Sequence, residues 1–124
     1  MSRLWLILGA VNAFVAVAAG AFAAHGLRSR LEPRMLEVFE TGARYQMYHA
    51  LALLAVGWLA SRSNSAVVTA AGWCFMGGIV LFSGSLYALT TSGATKLGMI
   101  TPFGGTLFLV GWALVVVAAA RLSG

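Results

Sequence analysis

Between Arg3 and His25 the chain runs for about 21 residues without a charged or titratable side chain. At a helical rise of about 1.5 Å per residue, that run is long enough to cross the roughly 30 Å hydrocarbon layer of a bilayer. No other feature restricts the fold as much, and it recurs. Apolar runs also extend from Tyr45 to Ala60, from Ala66 to Leu89, and from Pro102 to Ala120. Lipid offers the backbone no hydrogen-bond partner, so each run must be helical. The expected fold is all-α. It is an integral membrane four-helix bundle with spans at about 4–24, 45–60, 66–89 and 102–120, and residues 1–124 form a single transmembrane domain.

Composition agrees. Only 9% of the 124 residues are charged, against about a quarter in a soluble domain, too few to cover a water-facing surface. Eight basic residues oppose three acidic ones, for a net charge of +5. They are scattered between the apolar runs, as residues flanking membrane spans are, and not gathered into the patch that nucleic acid requires. Membrane lipids are therefore the expected surroundings, and no nucleic acid is expected. The single cysteine, Cys74, leaves no internal disulfide and reads as a small apolar residue. A cleaved signal peptide is the rival reading of the first run, with Arg3 as its basic region and Ala21-Phe22-Ala23 as its cleavage site. The run exceeds the about 7–15 residues of a typical signal core, so a retained span is expected.

The connections differ in kind. Ser61–Ser65 is short and polar, which suits a tight hairpin, whereas Thr90–Ile100 is a longer loop. Thr101-Pro102 suits an N-cap followed by a first helical position, since proline lacks the amide hydrogen left unpaired there. Pro33 opens another helix, and nothing after it obliges a break before Ala60. Leu36, Phe39 and Ala43 share one face and Glu37, Glu40 and Arg44 share another, the pattern of an amphipathic interfacial lead-in to the second span. Small residues recur at helix-contact spacing: Ala16, Gly20 and Ala24 in the first span, Gly77 and Gly84 in the third, Gly104 and Gly111 in the fourth. In lipid, close approach at such residues supplies the contacts that hold helices together. Val-Gly-Trp occurs at both 56–58 and 110–112, a faint hint of two duplicated hairpins.

Four antiparallel spans would bring the polar residues to one membrane side. His25, Glu40, Arg44, Tyr45, Gln46 and His49 are expected near Ser83, Ser85, Tyr87, Lys96 and Thr101. A polar imidazole within the membrane needs a partner, and Ser83, Ser85 or Tyr87 is the expected one for His49. Glu40 and Arg44, one turn apart, can pair. Two readings of His49 and Gln46 stay open: hydrogen-bonding glue between helices, or binding of a lipid headgroup, quinone or small polar ligand. Asn12, mid-span, reads as glue, and Trp5, Trp58 and Trp112 as anchors or packing. Catalysis is the weaker alternative. A nucleophilic Ser83 or Ser85 with His49 as base would have only Glu40 to orient the imidazole, because the chain contains no aspartate. His25, His49 and Glu40 lack metal-ligand spacing, and no metal or other cofactor is expected.

Four blocks, GAFAAHGL, FETGARYQMYHALALL, LFSGSLYAL and TPFGGTLFLVGWAL, occur in order and cover nearly the whole chain. Together they resemble a small bacterial inner-membrane family, domain of unknown function 423, with a eukaryotic relative called transmembrane protein 256. The resemblance implies four transmembrane helices and a multi-pass location in the bacterial inner membrane. It draws notice to Thr41, Gly42, Gly84, Pro102, Gly104 and Gly105 beside the polar residues already named, and lends no catalytic residue. The resulting expectation is a non-enzymatic membrane protein whose polar end binds a lipid, a small ligand or a partner protein, with homo-oligomers possible. The alternative is an intramembrane enzyme or small carrier using His49, Tyr45 and Glu40. Orientation is left open. Arg28, Arg30, Arg34, Arg44 and Lys96 outnumber Arg3, Arg62 and Arg121, placing the polar end in the cytoplasm, while the resemblance points to cytoplasmic termini.

Overall fold

The computed structural model describes residues Ser2–Ser123. Helix α1 (Ser2–Phe22) continues through a π-helical turn, Ala23–Leu27, and α2 follows at Pro33–Arg62. Helix α3 (Ala66–Gly78) runs through a second π turn, Ile79–Ser83, into α4 (Gly84–Ser92). A 3-10 turn, Thr95–Met99, leads into α5 (Thr101–Ala120). The described residues therefore make four helical rods and no strand. Three of them, Ser2–Leu27, Ala66–Ser92 and Thr95–Ala120, are long and apolar enough to cross a membrane.

The remaining rod, α2, carries the most polar residues and is also the most enclosed. Eleven of its 30 residues are buried, against four of 21 in α1 and four of 20 in α5. It packs on α1, α3, α4 and α5. The other helices turn apolar side chains outward: Phe14 is 76% exposed and Leu109 73%, whereas Gln46 and His49 are 5% and 4% exposed. A water-soluble protein distributes these residues the other way round.

Buried positions on α1 (Trp5, Gly9, Asn12, Ala16) and α5 (Gly104, Phe108, Gly111, Ala118) follow the three-and-four spacing of a helix seam. Glycines mark where backbones approach closest. A Cβ at Gly9 would lie 2.8 Å from Leu54 and 2.9 Å from the Ala50 carbonyl, and one at Gly57 would lie 2.8 Å from Leu6. At Gly111 it would meet Phe75 at 2.7 Å, and at Gly104 it would collide with the Phe82 backbone nitrogen.

The small-residue seams differ in part from expectation. Gly20 faces open space, Ala24 is exposed, and Gly84 has its nearest neighbour only at 4.0 Å. A strict four-residue step drifts about 40° per step, so a line from Ala16 leaves the contact face by Ala24. Between Gly77 and Gly84 the π turn changes the phase of the helix. The tightest approaches of this rod are at Gly72 and Gly78, where a Cβ would fall 2.6 Å from Trp5 and 2.5 Å from Phe108, while one at Gly77 would lie 3.2 Å from Leu107.

Local chemistry sets the ends. Ser65 accepts the amide hydrogen of Val68 (3.3 Å) and caps α3. Gly93, at φ 78°, closes α4 in the left-handed conformation that glycine adopts without strain. Pro102 sits in the first turn of α5, but Thr101, expected as the cap, lies inside the helix. Its hydroxyl is 2.6 Å from that of Ser85.

Candidate functional site

Mid-helix polar groups of α1, α2 and α4 meet in one line. Tyr87 donates its hydroxyl hydrogen to Gln46 Oε1 (2.7 Å), and Gln46 Nε2 donates to Asn12 Oδ1 (3.0 Å). Asn12 Nδ2 donates to the Leu8 carbonyl (2.9 Å) and lies 3.5 Å from Met76 Sδ. Each amide oxygen thus accepts and each amide nitrogen donates, satisfying groups that burial would otherwise penalise. Beside this relay, Ser83 donates to the Gly42 carbonyl (2.7 Å). Gly42 makes room for the Tyr87 ring, which a Cβ there would approach to 3.1 Å.

His49 belongs to a second cluster. Its Nδ1 lies 2.7 Å from the Tyr45 carbonyl, one turn back, and Trp112 Nε1 lies 3.1 Å from its Nε2. An indole can only donate, so Nε2 is the acceptor, and Nδ1 carries the proton given to Tyr45. The imidazole stacks on Phe108, with centroids 3.5 Å apart and planes within 2°. Phe75 stands behind it at 5.7 Å.

The expected partners of His49 are therefore engaged elsewhere: Ser83 with Gly42, Ser85 with Thr101, and Tyr87 with Gln46. Rotation about α2 explains the difference. Three residues turn Gln46 and His49 about 60° apart, so Gln46 faces α1 and α4 while His49 faces α5. Nine residues, two and a half turns, place Glu40 on the opposite side of α2 from His49. Among the described residues no serine–histidine or histidine–glutamate pair forms, and there is no group of three metal-ligating side chains. Glu40 is half-buried in a cleft between α1 and α2. Arg44 is exposed and donates to Thr41 (3.2 Å), the expected Glu40 pairing being absent. His25, Tyr45 and Lys96 are exposed.

Tyr45, Tyr48, His49, Phe82, Phe108 and Trp112 line a groove of about 440 Å³ between α2 and α5, with Gly105 and Leu109 at its edge. Tyr48, Leu109 and Trp112 are exposed along it. Tyr48, Phe82, Phe108, Leu109 and the indole donor of Trp112 are the members that sequence reasoning passed over. The available signal was the stripe Gly105, Phe108, Leu109, Trp112, which repeats at three and four residues on one face of α5.

A family model described as "Protein of unknown function (DUF423)" matches residues 19–105. The chain belongs to this family. It is 49% identical to UPF0382 membrane protein YwdK of Bacillus subtilis over 120 residues, covering 96% of this chain and 98% of that protein. UPF0382 membrane proteins of Staphylococcus aureus and Staphylococcus epidermidis are each 47% identical over 122 residues, covering 98% of this chain and 99% of theirs. No solved structure matches. The DUF423 segment takes in Gln46 and Tyr87 of the relay, Ser83, Ser85, Thr101 and the α1–α2 cleft from Gly20 onward, and leaves out Asn12, Ala16, Phe108 and Trp112.

Proposed function

We propose that the chain is a multi-pass protein of the bacterial inner membrane that binds, without catalysing a reaction, a small apolar ligand taken from the bilayer into the α2–α5 groove. The bundle has four spans, with α2 as the central one and its first turns as an amphipathic lead-in along the interface. Outward-facing phenylalanine, valine and leucine support the setting, as do full-length relatives named membrane proteins. One observation carries the ligand reading: a buried imidazole, with both nitrogens engaged, forms part of the wall of an aromatic groove that opens on the apolar surface. Its size and mostly apolar lining are those of a small-molecule site. An enzyme or carrier using His49, Tyr45 and Glu40 has less support, because Glu40 lies across the helix from the other two.

Native mass spectrometry of the gently extracted protein tests this reading. A Cβ at Gly105 would have only Phe82 near it, at 3.9 Å, so Gly105→Leu fills the groove and leaves both polar clusters in place. A co-purifying small molecule is expected with the wild type and not with Gly105→Leu at similar melting temperature. Wild-type protein that emerges bare from every mild detergent would refute the ligand reading.

A further inference from the structure

A second cleft, on the other side of α2, has a different chemistry. Ala16 and Gly20 of α1 and Glu40, Ala43, Arg44 and Met47 of α2 line an open depression of about 220 Å³. An adjoining depression extends past Glu40 to Arg28, in the connection after α1. Apolar walls thus lead up to the half-buried Glu40, which lines both depressions, with exposed Arg44 on the lining of one and exposed Arg28 on that of the other. Arg44 gives its only hydrogen bond within the described residues to Thr41, and neither arginine forms an ion pair with Glu40. Gly20 leaves the apolar part open, with nothing within 4 Å of where its Cβ would be.

From this arrangement we infer a binding site for an anionic phospholipid, phosphatidylglycerol. Two guanidinium groups and one carboxylate sum to a single positive charge, which one phosphodiester balances. Arg44 and Arg28 take the phosphate oxygens, the charge-assisted pairing that guanidinium geometry favours. Glu40, an acceptor only when ionised, receives the glycerol hydroxyls. One acyl chain lies over Ala16, Gly20 and Met47. Basic residues beside a membrane span ordinarily attract anionic lipid diffusely. Here the cleft fixes a stoichiometry of one and an order of contacts. The site shares no residue with the α2–α5 groove, so either can stand without the other.

The test is native mass spectrometry of delipidated protein titrated with phosphatidylglycerol or phosphatidylethanolamine in detergent. A first phosphatidylglycerol is expected to bind at least about threefold more tightly than phosphatidylethanolamine. Gly20→Leu, which fills the cleft without touching the packed core, and Arg44→Gln should each abolish that preference. Arg30→Gln, with the same charge change outside the cleft, should keep it. Equal binding of the two lipids overturns the assignment, and tighter ethanolamine lipid, with its ammonium on Glu40, replaces it. Equal losses for Arg30→Gln and Arg44→Gln would reduce the effect to diffuse attraction and sink the site.

Discussion

The indole N–H of Trp112 points at Nε2 of His49 across 3.1 Å, joining residues 63 positions apart in the chain. That bond holds the imidazole neutral, with its proton on Nδ1, and ties α5 to the central helix. Trp112→Phe keeps the ring and removes the donor. It should cost about 1 kcal/mol, within the range of hydrogen bonds between membrane helices. Equilibrium unfolding in mixed micelles would measure it, and an unchanged midpoint would mean that the bond contributes nothing.

Asn12 and Gln46 should be energetically coupled across the α1–α2 seam. Alanine at each position and at both makes a double-mutant cycle, with an expected coupling of about 0.6 kcal/mol and at most about 1.7. Additive losses would mean that each amide finds another partner when its mate is gone.

Gly104 and Gly20 should respond unequally to the same methyl group. At Gly104 a Cβ would fall on the Phe82 backbone, which cannot rotate away as a side chain can. Gly104→Ala should lower stability by about 1–3 kcal/mol, the usual cost of overpacking. Gly20→Ala, with nothing within 4 Å, should change it by less than about 0.5 kcal/mol. Melting temperatures of the two variants side by side decide the matter.

The number of crossings is open to direct measurement. If α2 spans the bilayer, both chain ends lie on one side, because four crossings return the chain to where it began. Reporter fusions at each end, or cysteine labels at Ser63 and Ser92, should place Ser63 on the side of the termini and Ser92 opposite. Termini on different sides would leave α2 lying flat at the surface.

Much of the helical layout was legible because charge-free runs and prolines are local signals. Pro33 does open a helix that runs unbroken to Arg62, and the serine-rich turn is as short as its composition suggests. Rotation was not legible. A span that is apolar on every side carries no amphipathic stripe to show which face turns inward, so Gly72 and Gly78 could not be preferred over Gly84. The same gap hid the division between Gln46 and His49. Their spacing shows that they point different ways, but not that α4 waits for one and α5 for the other. Anchoring or packing is the ready explanation for Trp112, as for any tryptophan in a span, and nothing in the sequence shows that its indole meets His49.

The π turn at Ile79–Ser83, where the Gly84 amide reaches back five residues to the Ile79 carbonyl, gives the third rod a slack link. An extra residue is looped out there while the flanking turns stay seated, Phe75 against Gly111 on one side and Tyr87 against Gln46 on the other. Losing one residue from that turn would restore ordinary α-helical winding and leave both flanks facing their neighbours. Losing one from the stretch before it would twist everything downstream by about 100°. Between those two flanks, the turn is where the rod can lose a residue and keep both contacts.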